Sequence, residues 1–344
     1  RIAANVFYET QEGPGTEARI EHGNVGGRFH EISLGNTIAR RKQRLDIGYN
    51  TPLLMGLLLR FENELAIAWY QLGGLHDSLA TPVFGGDLEI SIGSRFSRDL
   101  TRWLSVSLGG ELVHTEQQSA PELPTISTNL NIISSASFHF IDAPFNPARG
   151  MTFKLNLGNG GRLQLDNFSK LIGARHNWIE LQTSWYYPLP GPLIAAMRGD
   201  GGRFFGDGGI NAREFYLGGP RSIRAFMFRD IRPGDPGNAG MEPAYYLFSG
   251  ELRAGLFDFG WFRENVPLGK SIASLRFVPF VDYGKVWNLR YAFELHGTGE
   301  ALAGGIGLRY PLLGVFNIRV DFAWGTVPAG DETFRVVMDL ANAF

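Results

Sequence analysis

The stretch Phe316-Asn317-Ile318-Arg319-Val320-Asp321-Phe322-Ala323-Trp324 decides the fold. Phe316, Ile318, Val320, Phe322 and Trp324 occupy one side of a two-residue repeat; Asn317, Arg319, Asp321 and Ala323 occupy the other. An extended strand places consecutive residues on opposite faces, so this segment has one wholly apolar face and one charged face. The final segment repeats the pattern, with Phe334, Val336, Met338, Leu340 and Phe344 on one face and Arg335 and Asp339 on the other. Upstream, Leu59, Phe61, Leu65, Ile67 and Trp69 alternate with Arg60, Glu62 and Glu64. Ile179, Leu181, Trp185 and Tyr187 alternate with Glu180, Gln182 and Ser184, and Leu302, Gly304, Ile306, Leu308 and Tyr310 with Gly305, Gly307 and Arg309.

About sixteen strands are expected on this basis: 2–9, 16–23, 30–40, 43–50, 57–70, 85–97, 102–115, 128–140, 150–158, 175–187, 191–205, 243–257, 271–283, 301–310, 315–324 and 333–344. Many reach 10–14 residues, against about 5–6 for soluble strands and about 9–11 for a tilted strand crossing a bilayer. Short turns at 52–56, 188–191 and 311–314 lie at one end, and longer polar loops at 71–84, 116–127, 159–174 and 206–242 at the other. That is the layout of an all-β transmembrane antiparallel barrel, and lipid requires such a sheet to close. Aromatics near strand ends (Trp69-Tyr70, Trp185-Tyr186-Tyr187, Tyr245-Tyr246, Trp324) fit interfacial girdles. A soluble β-sandwich, its charged face turned to water, is the alternative; a propeller would need a repeat of about 40–50 residues, and none is present. No apolar run is long enough for a membrane helix. No signal peptide opens the chain, and Arg1 leads almost at once into alternating sequence. Residues 1–344 are therefore expected to be a single barrel domain whose upstream part lies outside this sequence.

Composition narrows the chemistry. The 344 residues include 45 Gly and no Cys, with a formal net charge of -2. Lacking cysteine, the chain has no disulfide framework, thiolate metal site or cysteine nucleophile. Its balanced charge argues against a nucleic-acid surface. Only five of the 32 basic residues are Lys, and arginine, which keeps its charge when enclosed and donates in a fixed fork, suits an interior network. The seven His are scattered without ligand spacing. No phosphate-cradling Gly-Lys-Ser/Thr ending and no Gly-x-Ser-x-Gly elbow occurs. Neither catalysis nor a metal or cofactor is expected.

One loop needs a purpose. From Asp207 to about Glu242 no strand pattern is visible, and structureless segments of that length are uncommon in compact folds unless functional. Within it, Phe215-Tyr216-Leu217-Gly218-Gly219-Pro220-Arg221-Ser222-Ile223-Arg224-Ala225-Phe226 mixes aromatics, glycines and guanidinium groups. Tucked into a polar interior, Arg224 could meet a wall carboxylate; an ordinary external loop is the alternative.

At these residues the chain resembles the BamA/TamA superfamily of outer-membrane barrels. Gly218 to Phe226 resembles the long-loop signature Val/Ile-Arg-Gly-Phe/Tyr, with Ala225 in place of the usual glycine. Phe280-Val281-Asp282-Tyr283-Gly284 resembles the Phe-x-Asp-x-Gly strand end, Gly305 to Pro311 followed by Asn317 to Ala323 the penultimate hairpin, and Asp142 to Gly150 the mid-barrel Asp…Pro-x-x-Gly turn. Gly13-Pro14-Gly15 and Asp46 to Leu54 look more like the TamA branch. The resemblance implies sixteen strands, upstream POTRA domains, and a long loop locked in the lumen by Arg224 and Asp282, with Phe226 and Gly219 in the same lock. It also implies a weak seam between the first and last strands, marked here by Val6, Tyr8, Phe334 and Met338, and a terminal aromatic assembly signal, Phe344. Implied partners are outer-membrane lipid and lipopolysaccharide, nascent outer-membrane proteins, and periplasmic accessory proteins reached through POTRA domains. The implied function is insertion or translocation at the bacterial outer membrane. A two-partner secretion transporter, the barrel of a patatin-like autotransporter and a passive porin are the alternatives.

Overall fold

A strand that is apolar on one face and polar on the other must find a separate solvent for each, and a closed sheet supplies two. The computed structural model describes residues 2–9, 13–25, 30–39, 42–51, 59–71, 86–117, 125–143, 147–163, 172–206, 215–227, 230–231, 243–255, 275–288, 298–312, 316–327 and 332–341. The strands are β1 (Ile2–Glu9), β2 (Gly13–Val25), β3 (His30–Ala39), β4 (Lys42–Thr51), β5 (Arg60–Gln71), β6 (Gly86–Asp99), β7 (Leu104–Gln117) and β8 (Thr125–Ile141). They continue with β9 (Gly150–Leu163), β10 (Ile172–Leu189), β11 (Leu193–Gly206), β12 (Pro243–Gly255), β13 (Arg276–Asn288), β14 (Thr298–Leu312), β15 (Phe316–Thr326) and β16 (Glu332–Ala341). Each pairs antiparallel with its sequence neighbours, and β1 also meets β16, giving a closed up-and-down barrel.

The faces are inverted relative to a soluble protein. In β5, Leu65 and Ile67 are 38% and 42% exposed, whereas the intervening Ala66 and Ala68 are 2% exposed. In this strand large apolar side chains look out, and small or charged ones look in. Outward rings pair up, as in Phe61 with Phe96, Trp103 with Phe140 and Trp324 with Phe334. Not every strand-end aromatic joins such a belt. Tyr186 is buried inside, and Tyr245 packs on Phe215 with ring centroids 4.6 Å apart. Consecutive aromatics fall on alternate faces, so Trp185-Tyr186-Tyr187 cannot all face lipid.

Two local features depart from or explain the sequence pattern. β13 runs from Arg276 to Asn288 rather than over 271–283, because Val286 and Trp287 continue the alternation past Gly284. At the β8–β9 turn, Asp142 Oδ1 accepts hydrogen bonds from the amides of Ala148 (3.0 Å) and Arg149 (3.2 Å). Partial burial pushes that carboxyl up, but the surrounding amides more than offset it and hold it below the ordinary range. Gly150 closes the turn at φ 119°, a conformation only glycine adopts readily.

The apolar core lies within the barrel, on one side of the lumen. Trp178, Phe204, Leu247 and Phe280 from the wall pack with Phe215, Leu217, Ile223 and Phe226 from the segment between β11 and β12. The described part of the long loop, residues 215–227 and 230–231, is folded inward.

Candidate functional site

The inward segment is a compact turn held by its own backbone. Leu217 and Ile231 exchange amide–carbonyl bonds of 3.0 and 3.1 Å. The Gly219 amide donates to the Phe226 carbonyl (2.8 Å) and the Ser222 amide to the Gly219 carbonyl (3.0 Å). Gly218 and Gly219 have φ values of 111° and 98°, and a Cβ at Gly218 would lie 2.0 Å from the Met227 carbonyl oxygen. The glycine pair is thus required by the turn, and the turn presents Arg224.

Arg224 is 1% exposed and fully engaged. Its Nε and Nη2 donate to the two Asp282 oxygens at 2.7 and 2.6 Å, and its backbone amide adds a 3.2 Å bond to Asp282 Oδ2. Nη1 donates to Glu251 at 2.8 Å, and Nη2 also reaches Ser249 Oγ at 3.1 Å. Asp321 lies 3.5 Å from Nη1. The guanidinium sits 3.5 Å over the Phe280 ring centroid. Asp282 and Asp321 are 0% exposed. Arg309 bridges Asp321 and Glu251, Arg253 pairs with Glu251 at 3.1 Å, and Arg319 pairs with Asp321 at 2.6 Å. Burial alone would lower the Arg224 pKa, but the Asp282, Glu251 and Asp321 carboxylates together outweigh it, so Arg224 is held above its ordinary value. Three carboxylates and four guanidinium groups satisfy one another, the condition for burying charge at tolerable cost.

The wall is shaped to receive the turn. A Cβ at Gly284 would come within 2.7 Å of Leu217 Cδ1 and 2.9 Å of Ile223 Cδ1. One at Gly325 would lie 2.5 Å from the Ala225 methyl and 2.7 Å from Phe226. Thr333 Oγ1 donates to the Ala225 carbonyl (3.0 Å), and Arg198 Nη1 to the Arg221 carbonyl (2.7 Å). The turn therefore contacts β11, β12, β13, β15 and β16.

Among the described residues, the opposite side of the lumen is open. A cavity of about 430 Å³ is lined by Glu31, Asp46, Glu62, Glu64, Glu89 and Glu111, with Arg44 and Arg95 among them. No three His, Cys, Asp or Glu among the described residues are placed to hold a metal ion.

The residues singled out in the sequence fall as follows. Arg224, Asp282, Phe226 and Gly219 come together in the lumen; Phe226 is buried in the core cluster and Gly219 forms the turn. Phe334 and Met338 face outward, 47% and 42% exposed. Val6 and Tyr8 lie on β1, where the backbone alone is described, and Phe344 lies outside the described residues. Tyr8 and Glu9 are opposite Met338 and Val337, the two register pairs that join β1 to β16 among the described residues. The sequence reading missed Glu251, Asp321, Arg309 and Ser249; each has no signal beyond an inward position in its strand.

A profile of the Omp85 superfamily domain matches residues 24–344. The chain belongs to the Omp85 superfamily. Among solved structures, BamA from Haemophilus ducreyi lacking POTRA domains 1–3 is similar over 99% of this chain and 70% of that one, with a TM-score of 0.73 and 15% identity. CdiB from Acinetobacter baumannii is similar over 98% of this chain and 59% of that one (TM-score 0.63, 14% identity). CdiB from Escherichia coli gives a TM-score of 0.57 at 14% identity, over 98% of this chain and 62% of that one. This chain thus spans about three-fifths of either CdiB chain. At these identities the likeness is one of fold. No curated protein sequence matches the chain. The superfamily assignment and the BamA-like barrel agree with the BamA/TamA resemblance. Its members are outer-membrane β-barrels serving protein insertion and transport.

Proposed function

We propose that this barrel sits in the outer membrane of a Gram-negative cell and inserts other β-barrel proteins there, by templating their strands at the β1–β16 seam. The observation that carries this reading is the seam's poor pairing. Among the described residues, two register pairs join β1 to β16, against eight between β1 and β2 and ten between β15 and β16. A strand edge with few partners invites addition of another strand. Arg224 and Asp282 serve as the lock that keeps the long loop in the lumen, so that the wall beside the seam keeps its shape while the seam opens. Upstream POTRA domains would deliver unfolded substrates from the periplasm.

The chain has no native cysteine, so the seam can be closed selectively. Tyr8→Cys with Met338→Cys places one thiol on each side of a register pair. Once oxidised, the full-length protein in liposomes should stop inserting an unfolded outer-membrane substrate, and reductant should restore insertion. Equal insertion by the oxidised and reduced forms would refute the seam mechanism. Translocation of an unfolded chain through the lumen is a second reading, favoured by the cavity left among the described residues beside β3–β7. Transport across the membrane that survives seam closure would support it instead.

A further inference from the structure

The outer face of β11–β14 carries charge in one place. Alternation and register put Arg203, Tyr246, Tyr283, Lys285, Trp287 and Glu300 on that face. Arg203 is opposite the outward Ile179, and Tyr283 is opposite Leu302, which is 47% exposed. Arg203, Lys285 and Glu300 are the only charged residues at the outward positions of these four strands, and all lie within a few residues of the long-loop ends. The rows nearer the short turns are apolar, with Phe248, Val281, Ile306 and Leu308 exposed. A charge facing lipid costs least near the interface, so this cluster marks the aqueous limit of the long-loop leaflet.

The anion in the cluster is already occupied. The Tyr283 hydroxyl donates to Glu300 Oε1 at 2.7 Å, and Lys285 Nζ lies 3.3 Å from Glu300 Oε2. The Tyr246 and Tyr283 hydroxyls are 3.1 Å apart. With Tyr283 donating to Glu300, Tyr246 donates to Tyr283. Two cations against one carboxylate leave a net positive charge. The Arg203 guanidinium carbon lies 4.6 Å from the centroid of the Phe205 ring. Arg203 and Trp287 flank Ala244 across one row of the sheet, and the Trp287 and Tyr246 rings are 5.6 Å apart. Towards the membrane centre, the next outward position on β11 is Gly201, where a Cβ would have no neighbour closer than the Tyr245 carbonyl oxygen at 3.5 Å.

We infer that this patch binds a lipid with a phosphorylated sugar headgroup in the leaflet on the long-loop side, its phosphate on Arg203 and Lys285. A guanidinium matches phosphate in bidentate geometry, and the ammonium adds a second point charge. Aromatic faces such as those of Tyr246 and Trp287 take the C–H face of a sugar ring. An acyl chain runs down over Gly201, where no side chain obstructs it. This inference rests on the membrane reading of the barrel and adds a ligand site outside the seam and the lumen.

The test is native mass spectrometry of the purified full chain, released from nanodiscs containing phosphatidylcholine with equal amounts of diphosphorylated lipid A and phosphatidylglycerol. The wild-type barrel should retain lipid A in preference to phosphatidylglycerol. Arg203→Gln should reduce that retention about tenfold, the scale of one charge-assisted hydrogen bond. Lys285→Gln should reduce it less, and Gly201→Leu should reduce it by filling the chain path while leaving both cations in place. Heat-modifiable gel mobility checks that each variant is folded. Equal retention of the two lipids, or unchanged lipid A retention in folded Arg203→Gln, would overturn the inference while leaving the barrel reading intact. A wild-type chain that never enters nanodiscs would remove both.

Discussion

The two sides of the lumen solve the same problem in opposite ways. Beside β3–β7, charged residues face a cavity and remain hydrated; Glu64, bonded to Arg44 at 2.6 Å, still exposes 56% of its side chain. Beside β11–β16, Arg224, Asp282 and Asp321 are sealed from water by an inserted turn. Exposed pairs contribute little because water already satisfies both charges. Buried charges depend on their partners, because loss of one strands the others in a low dielectric. Similar residue types therefore play a solvating role on one side and a structural one on the other.

That contrast can be broken most directly at Arg224. Arg224→Ala leaves the Asp282, Glu251 and Asp321 carboxylates short of a buried counter-charge, and the barrel should lose about 3–5 kcal/mol. Urea titration read by heat-modifiable mobility measures the loss; a change under 1 kcal/mol would show that the turn is not held by charge. A smaller effect is expected from shape. Gly325→Ala drives a methyl into Ala225 and Phe226 and should cost about 1–3 kcal/mol. Combining it with Ala225→Gly should return most of that loss, because the two methyls compete for one space, and protease sensitivity of the turn should follow the same order. If the double variant is no better than the single, the fit between turn and wall has been misassigned. The smallest effect belongs to the open side: Glu64→Gln should stay within about 0.5 kcal/mol of the parent by the same titration.

The alternation of Phe316 to Trp324 made the strand and both its faces legible, because period two is a local property of the chain. It also showed where large outward side chains would lie. The partners of Arg224 were less accessible. Asp282 came from motif resemblance, whereas Ser249 and Glu251 on β12 and Asp321 on β15 look like any other inward polar residue. Register alone brings them together, and register is a property of the whole sheet. Gly284 was visible only as a motif position and Gly325 not at all, for a related reason: the need for a missing side chain becomes visible only when the turn occupies the space above it. Consecutive aromatics at 185–187 and 245–246 misled, since neighbouring residues on a strand cannot share a face.

The contacts of the turn also bear on the order of folding. Arg224 gathers Glu251, Asp282 and Asp321, and the neighbouring Ala225 carbonyl accepts from Thr333, 108 residues further along the chain. Closing such distant contacts is entropically slow. A polypeptide still lacking β15 and β16 would have neither the Asp321 carboxylate nor the Thr333 tether, so seating of the turn registers that the last hairpin has arrived.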